Sequence, residues 1–561
     1  MQSLNKLDVS KSVNSIANHL LKNCADTIAP SLTKLQKNIA KRAEYPSWYK
    51  IQRITALHKR KEVSKSKNYR PVSVVPNEDM VFEDSICGQL YDFLAAFTPL
   101  SQFGFLKECG TQDYGALMAM KIMNILERRN EALLISIDVD GAFDRVWWDG
   151  LVKKLKARGM RGRALRLMKS YLNDRFIEVV AGKLRSLLKK IFSGVPQGGK
   201  FSQNLWNFDI STLDELDIEG LIAYADDCGI LYEISDNNRD TIIEEINKDF
   251  ESLAAWGVEW HTSFAADKTE ACLISRKHKP FDVSGLSFQG EQIDMVKELK
   301  LVGFIFDEKM TTEPMVRKAS KKGRAKVAAL YRLRPFLSSE NLELVYKAYI
   351  RSGMEYGNLE YMMAAPSILK RLDRVQAAAE KLGEFKVESL ESRREASLIG
   401  LTFKLLDGKG RGQLNDYTPE IVELNPIKKC RHTTTGLQVV DKTTSKSLLS
   451  FERSIVGKTP KVWAKLPQDI LKSRKENNWQ SITKECQRFL TGKTLKSKKT
   501  TTTHKQQKQD DTHATEYYSM AEVLSFKKAG ILPLGFNEFT KILRSENLQN
   551  TSDGLLIKPT N

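Results

Sequence analysis

Apolar positions recur at helical spacing over residues 1–45, where Ile16, Leu20 and Leu21 are followed by Ile28, Leu32 and Leu35. A basic stretch follows from Leu57 to Pro71, and Pro71 drives Arg70 towards an extended conformation. The run Leu133-Leu-Ile-Ser-Ile-Asp-Val139 is a short buried-strand pattern, with a helix expected from about Asp149. Residues Leu221 to Ile234 hold two apolar runs split by two carboxylates, which predicts a hairpin. Ile242, Ile246, Phe250, Leu253 and Trp256 line one side of the next helix, and Glu270 to Ser275 returns to strand. Strands interleaved with helices and hairpins predict an α+β core across roughly residues 65–280. The pattern then becomes mostly helical, and Met315 to Leu333 is strongly basic. Residues 386–490 are mixed. Residues 492–515 are low-complexity and expected to be disordered, and the tail after them is expected to fold back or bind a partner.

The 561 residues suggest three to four domains at roughly 150 residues each. Lys and Arg total 88 against 69 Asp and Glu, a net charge of +19 that favours a polyanionic partner, nucleic acid before an anionic membrane. No apolar run approaches the ~18 residues of a membrane span, and the first residues lack the apolar core of a signal peptide. Seven cysteines lie scattered without a CxxC pair, so a reducing, intracellular setting without structural zinc is expected.

Three carboxylates carry the candidate chemistry. Asp138 ends the buried strand, and Asp226 and Asp227 sit at the hairpin turn. A carboxylate at the edge of an apolar strand is costly unless solvated, paired or bound to a cation. Neighbouring strand residues face opposite ways, so adjacent acids share a site only where the chain turns. With only Cys228 nearby as a softer ligand, three carboxylates point to magnesium rather than zinc, and to two-metal phosphoryl or nucleotidyl transfer. Solvated turn residues are the structural alternative.

Four segments then fall in a telling order: Ile137-Asp-Val-Asp-Gly-Ala-Phe-Asp144, Ser193-Gly-Val-Pro-Gln-Gly198, Tyr224-Ala-Asp-Asp227 and Asp267-Lys-Thr-Glu270. Leu301-Val-Gly-Phe304 follows them. Upstream lie Pro46-Ser-Trp-Tyr-Lys50, Asn68-Tyr-Arg-Pro-Val-Ser73 and Gln102-Phe-Gly-Phe105, and downstream Val462-Trp-Ala-Lys-Leu-Pro467. Over about residues 20–490 this series resembles the reverse transcriptases of non-LTR, jockey-like LINE retrotransposons. The resemblance implies a right-hand polymerase with fingers, a palm of antiparallel sheet bearing a catalytic hairpin, a helical thumb, and a mixed C-terminal region. It implies segments at 1–45 (N-terminal helices), 46–280 (fingers and palm), 281–385 (primer-grip hairpin and thumb), 386–490 (C-terminal region), 491–516 (linker) and 517–561 (tail).

The same resemblance assigns roles. Asp138, Asp226 and Asp227 match the catalytic carboxylates that hold two Mg²⁺, or Mn²⁺ in their place. Phe143 matches the aromatic gate against a ribose 2′-hydroxyl, with an ordinary core phenylalanine as the alternative. Gln197 and Gly198 match the loop lining nucleotide and template, or are simply a turn. Arg70 resembles the arginine near the incoming triphosphate. Lys268 matches the lysine that protonates pyrophosphate, or is a solvated surface lysine. Lys318, Lys321, Lys322 and Arg324, placed where the thumb belongs, are expected to track the phosphates of a primer–template duplex.

Two segments depart from the family pattern: Gly199-Lys-Phe-Ser-Gln203, where a small residue and then Ser-Pro is usual, and Leu106-Lys-Glu-Cys-Gly-Thr111. No endonuclease or Cys/His knuckle is visible, so an endonuclease is expected to be supplied elsewhere or lost. The expected function is RNA-directed DNA polymerisation from dNTPs on an RNA template with a DNA primer, in nucleus and cytoplasm and off the membrane. The alternatives are a degenerate or co-opted nucleic-acid-binding copy, and a DNA-templated polymerase.

Overall fold

The computed structural model describes residues 2–5, 436–440, 449–467, 479–490, 548–551 and 554–557, and 17–424 apart from 60, 61, 63, 66, 67 and 183. The low-complexity stretch 492–515 and most of the tail lie outside these residues. The strands nearest the candidate chemistry are β1 (Ile51–His58), β2 (Tyr69–Val74), β3 (Glu131–Asp140), β4 (Phe176–Ala181), β5 (Leu184–Arg185), β6 (Lys189–Lys190), β7 (Leu221–Tyr224), β8 (Asp227–Ile234), β9 (Ser263–Phe264) and β10 (Glu270–Ile274). The chain divides into two compact units. The first holds residues 1–110, 134–271 and 281–296; the second holds 111–133, 272–280 and 297–561.

Two sheets frame the first unit. One runs β2-β1-β4-β5, with β6 also on β4; β1 pairs antiparallel with β2 and parallel with β4. Pro71, which has no N–H to donate, sits on the edge strand β2, where a missing ladder bond costs least. The other sheet runs from the short strand Asp294–Met295 through β10, β3 and β8 to β7, and β9 pairs with β3. Its ladders are antiparallel at β7–β8 and β3–β9 and parallel at the two-residue contact beside β10. Along β3 the residues up to Ile135 are buried, and Ser136, Asp138 and Asp140 then alternate with buried Ile137 and Val139. That period of two puts both aspartates on one face. The helix Ile242–Glu259 buries the predicted stripe, Ile242, Ile246, Phe250, Leu253 and Trp256.

The second unit is mostly helical. Helix Thr111–Glu127 is buried along nearly its whole length, and its Asp113 meets Lys404 of helix Leu390–Leu406 at 2.7 Å in the interior. Hairpin Glu298–Leu301/Phe304–Asp307 leads into helix Glu313–Leu333. The Asp307 carboxylate accepts the backbone N–H groups of Thr311 and Thr312 at 2.9 and 2.8 Å, satisfying donors just ahead of that helix. Gly323 lets the helix pack closely, since a Cβ there would lie 2.8 Å from Met354 Sδ and 3.0 Å from Val375. Trp463, from the segment Val462–Pro467, is buried against Phe403 at 5.3 Å between ring centroids. Among the described residues no helix is long and apolar enough to cross a membrane.

Candidate nucleotidyl-transfer site

The predicted hairpin forms with Tyr224 opposite Asp227, so Ala225 and Asp226 make a two-residue turn. Ala225 has φ of 57°, the positive first position of a type II′ turn, a role glycine usually fills. One side chain holds it there. Fully buried Gln102 accepts the N–H groups of Ala225 and Gly104 at 2.7 Å each, and donates to the Ala225 carbonyl at 3.1 Å. Gly104 is required by this approach, because a Cβ there would lie 2.3 Å from the Ala225 nitrogen. The segment Gln102-Phe-Gly-Phe105 is visible in the sequence, but a role for Gln102 is not; the only signal is one amide among aromatics and a glycine.

Strand β3, which bears Asp138, pairs with β8, which opens at Asp227 directly after this turn. Burial raises the Asp226 carboxyl above its ordinary range; its own backbone N–H pulls it down, the Asp138 charge raises it and Arg70 lowers it. Arg70, exposed on β2, is therefore within electrostatic reach of Asp226. The buried Cys228 thiol is pushed up to about 12, first by burial and then by the charges of Asp226, Asp227 and Asp138. Lys268, in the short turn Ala266–Lys268 after β9, places Nζ 2.9 Å from Asp138 Oδ2, and that bond raises its pKa.

Among the described residues no three His, Cys, Asp or Glu side chains are already gathered as a chelating group. The donor chemistry nevertheless fits a hard cation: carboxylate oxygens alone, with repulsion between Asp138 and Asp226 that positive charge relieves. Asp138 already draws an ammonium to itself.

The remaining candidates line the same unit. Phe143 is half-buried rather than an interior residue, its ring 6.0 Å from Phe105 and 6.1 Å from Trp206. The loop 193–198 is knitted to its neighbours, since Val195 N–H donates to the Phe143 carbonyl at 2.7 Å and Gly194 N–H to that of Val146 at 2.9 Å. Gln197 Nε2 lies 3.3 Å from both Asp144 oxygens. Gly198 passes so close to β2 that a Cβ would meet the Ser73 carbonyl at 2.3 Å. Hence Asp138, Asp226, Asp227, Lys268, Arg70, Phe143, Gln197 and Gly198 all belong to the first unit.

The basic helix Glu313–Leu333 belongs to the second. At about 100° per residue, Lys318, Lys321 and Lys322 span an arc of about 100°, and Arg324 extends it about 60° beyond Lys321. Arg324 also lines a groove with helix Pro366–Gly383, beside Arg371, Arg374 and exposed Tyr331. Partial burial and the charges of Lys300 and Lys322 lower the Lys318 pKa, so the lysine arc is a concentration of like charge.

Residues 57–306 match the family described as reverse transcriptase (RNA-dependent DNA polymerase). The RNA-directed DNA polymerase from mobile element jockey of Drosophila funebris is 27% identical over 327 residues, 55% of this chain and 35% of that protein. Its Drosophila melanogaster counterpart is 27% identical over 350 residues, 59% and 37%. The probable RNA-directed DNA polymerase from transposon X-element of Drosophila melanogaster is 26% identical over 352 residues, 60% and 38%. The chain thus spans a little over a third of the length of these curated relatives. Among solved structures, telomerase from Candida tropicalis with a fragment of telomeric RNA has a TM-score of 0.34 at 13% identity, covering 68% of this chain and 62% of that one.

Proposed function

We propose that this chain, whose residues 57–306 belong to the reverse transcriptase family, extends a DNA primer on an RNA template with dNTPs. The observation that carries the proposal is the pairing of β3, which bears Asp138, with β8, which opens at Asp227 directly after a turn clamped by Gln102. That family uses divalent metal ions; two Mg²⁺, or Mn²⁺, held by the three carboxylates would activate the primer 3′-hydroxyl and stabilise the departing pyrophosphate.

The chain's own groups have separate tasks. Arg70 meets the negative charge of the triphosphate. Phe143, half-buried between Phe105 and Trp206, would meet the sugar and so disfavour a 2′-hydroxyl. Gln197 and Gly198 line the base and template side. Lys268 holds a proton on Asp138 in the resting site and is the donor for the leaving pyrophosphate once it moves off that carboxylate. Lys318, Lys321 and Lys322 bind duplex phosphates. Intracellular residence would suit seven cysteines scattered along the sequence without a CxxC pair.

The test is primer extension on poly(rA)/oligo(dT) with Mg²⁺, in which incorporation of dTTP is expected. Tight, salt-sensitive duplex binding without any extension would favour instead a copy kept only for binding nucleic acid.

A further inference from the structure

The segment Gly199-Lys-Phe-Ser departs from the family pattern directly after the Gln197–Gly198 loop, and the structure gives that departure a partner. Helix Lys200–Asp209 begins after Gly199, which has no side chain to cap the helix. The cap comes from elsewhere. Glu83, on helix Asn77–Ala95 and fully buried, accepts the backbone N–H of Lys200 at 2.5 Å. The next residue, Asp84, accepts a hydrogen bond from the Lys200 ammonium. Two consecutive acids therefore hold the main chain and the side chain of one lysine.

The surroundings leave this arrangement little slack. A Cβ on Gly199 would lie 3.0 Å from Ser202 Oγ and 3.2 and 3.3 Å from the Glu83 oxygens, so the carboxylate occupies the space a side chain would take. Behind Glu83 lies fully buried Arg175, whose charge partly offsets that of the carboxylate. Gly198 presses on the Ser73 carbonyl on one side of the loop, and Gln197 reaches Asp144 on the other. Backbone bonds from Gly194 and Val195 tie down the other end of the loop, so releasing Lys200 would free its Gln197–Gly198 end.

We propose that Glu83 and Asp84 are positioning residues that fix the Gln197–Gly198 loop through the two ends of Lys200. The proposal rests on the polymerase reading for its kinetic consequence, but not for its structural one. Removing the acceptor should loosen the nucleotide side of the site, raising KM for dNTP, while leaving primer–template affinity alone.

The experiment compares Glu83→Gln, which keeps an acceptor oxygen, with Glu83→Met, which does not. Amide hydrogen exchange is followed in the full chain and steady-state extension in parallel. The Met variant should exchange the Lys200 amide at least about ten-fold faster and raise KM for dNTP about ten-fold, with kcat within about three-fold. The Gln variant should stay within about three-fold of wild type on both readouts. A folded Met variant with unchanged exchange and unchanged KM overturns the proposal.

If the Met variant does not fold, the half-exposed pair decides. Asp84→Asn and Lys200→Met should each raise KM, and the double variant should be no worse than the worse single one. Strictly additive losses would overturn the latch. If wild type itself extends no primer, the polymerase reading fails, and hydrogen exchange alone decides whether the latch exists.

Discussion

The hairpin β7–β8 and the hairpin Glu298–Leu301/Phe304–Asp307 each close with two residues, but they meet the demands of that turn differently. In the first, Ala225 alone takes positive φ. In the second, Val302 (φ 52°) and Gly303 (φ 88°) both do, as a type I′ turn requires. A non-glycine residue in the left-handed region costs roughly 1–2 kcal/mol, more when β-branched. Neither sequence carries the Asn-Gly that such turns favour. Each hairpin is instead held by one side chain distant in sequence. Gln102 makes three bonds around Ala225, whereas Tyr356 donates to the Val302 carbonyl at 2.6 Å and stacks on Phe304 at 5.2 Å. Local strain secured from outside places a backbone where local preference would not leave it. The first hairpin spends that placement on two carboxylates. The second has none at its tip.

The comparison breaks most visibly at Gln102. Gln102→Ala removes the three side-chain bonds around the Ala225 turn and leaves buried N–H groups unpaired. Extension should fall about a hundred-fold while primer–template affinity changes little, because displacing reacting groups by about 1 Å is worth that much. Rate and affinity measured on one preparation separate this from global unfolding. A rate within three-fold of wild type would show that the turn needs no clamp.

A second effect concerns the ground under the other hairpin. Phe304 abuts Gly115, whose missing Cβ would also meet Glu360 at 2.4 Å, so the glycine makes room for both. Burial pushes the Glu360 carboxyl up to about 8. The folded protein keeps a proton that the unfolded chain releases near pH 4 to 5. Its contribution is therefore fully present below that range and lost as pH rises through about 8. Glu360→Gln should leave the urea midpoint nearly unchanged at pH 5 and raise it clearly at pH 9, on the order of a few kcal/mol. Parallel pH profiles for the two proteins would contradict this.

Smaller changes sharpen the contrast. Tyr356→Phe keeps the stacked ring and loses only the hydroxyl bond, so it should cost about 1 kcal/mol and leave dNTP discrimination unaltered. Val302→Asn restores the residue pair a type I′ turn prefers and should stabilise by roughly 0.5–1 kcal/mol. Urea unfolding measures both. If Val302→Asn destabilises, apolar contacts of Val302 outweigh its backbone strain.

Much of the site is legible in the sequence, and the reason is local. The apolar run ending at Asp138 and the split run around Asp226 and Asp227 carry their own period, so strand and hairpin follow from neighbours in the chain. Gln102 cannot be read that way, since its partner Ala225 lies 123 positions on. Nor can Glu83, which meets Lys200 across 117. Such side-chain-to-backbone bonds leave no periodic trace. The lysine helix is an intermediate case: its charge is plain in the sequence, but the groove that Arg324 lines with helix Pro366–Gly383 is not. Lys268 is expected near a leaving group, whereas it rests on Asp138 because β9 pairs beside the end of β3.

We propose that the turn at Ala225–Asp226 places a carboxylate for nucleotidyl transfer. The most direct measurement compares wild type and Asp226→Asn for primer extension on poly(rA)/oligo(dT) and, separately, for primer–template affinity. The expected result is a rate loss of at least about a thousand-fold, several kcal/mol of transition-state stabilisation, with affinity within about two-fold. An Asn variant that keeps a tenth of the wild-type rate would contradict it.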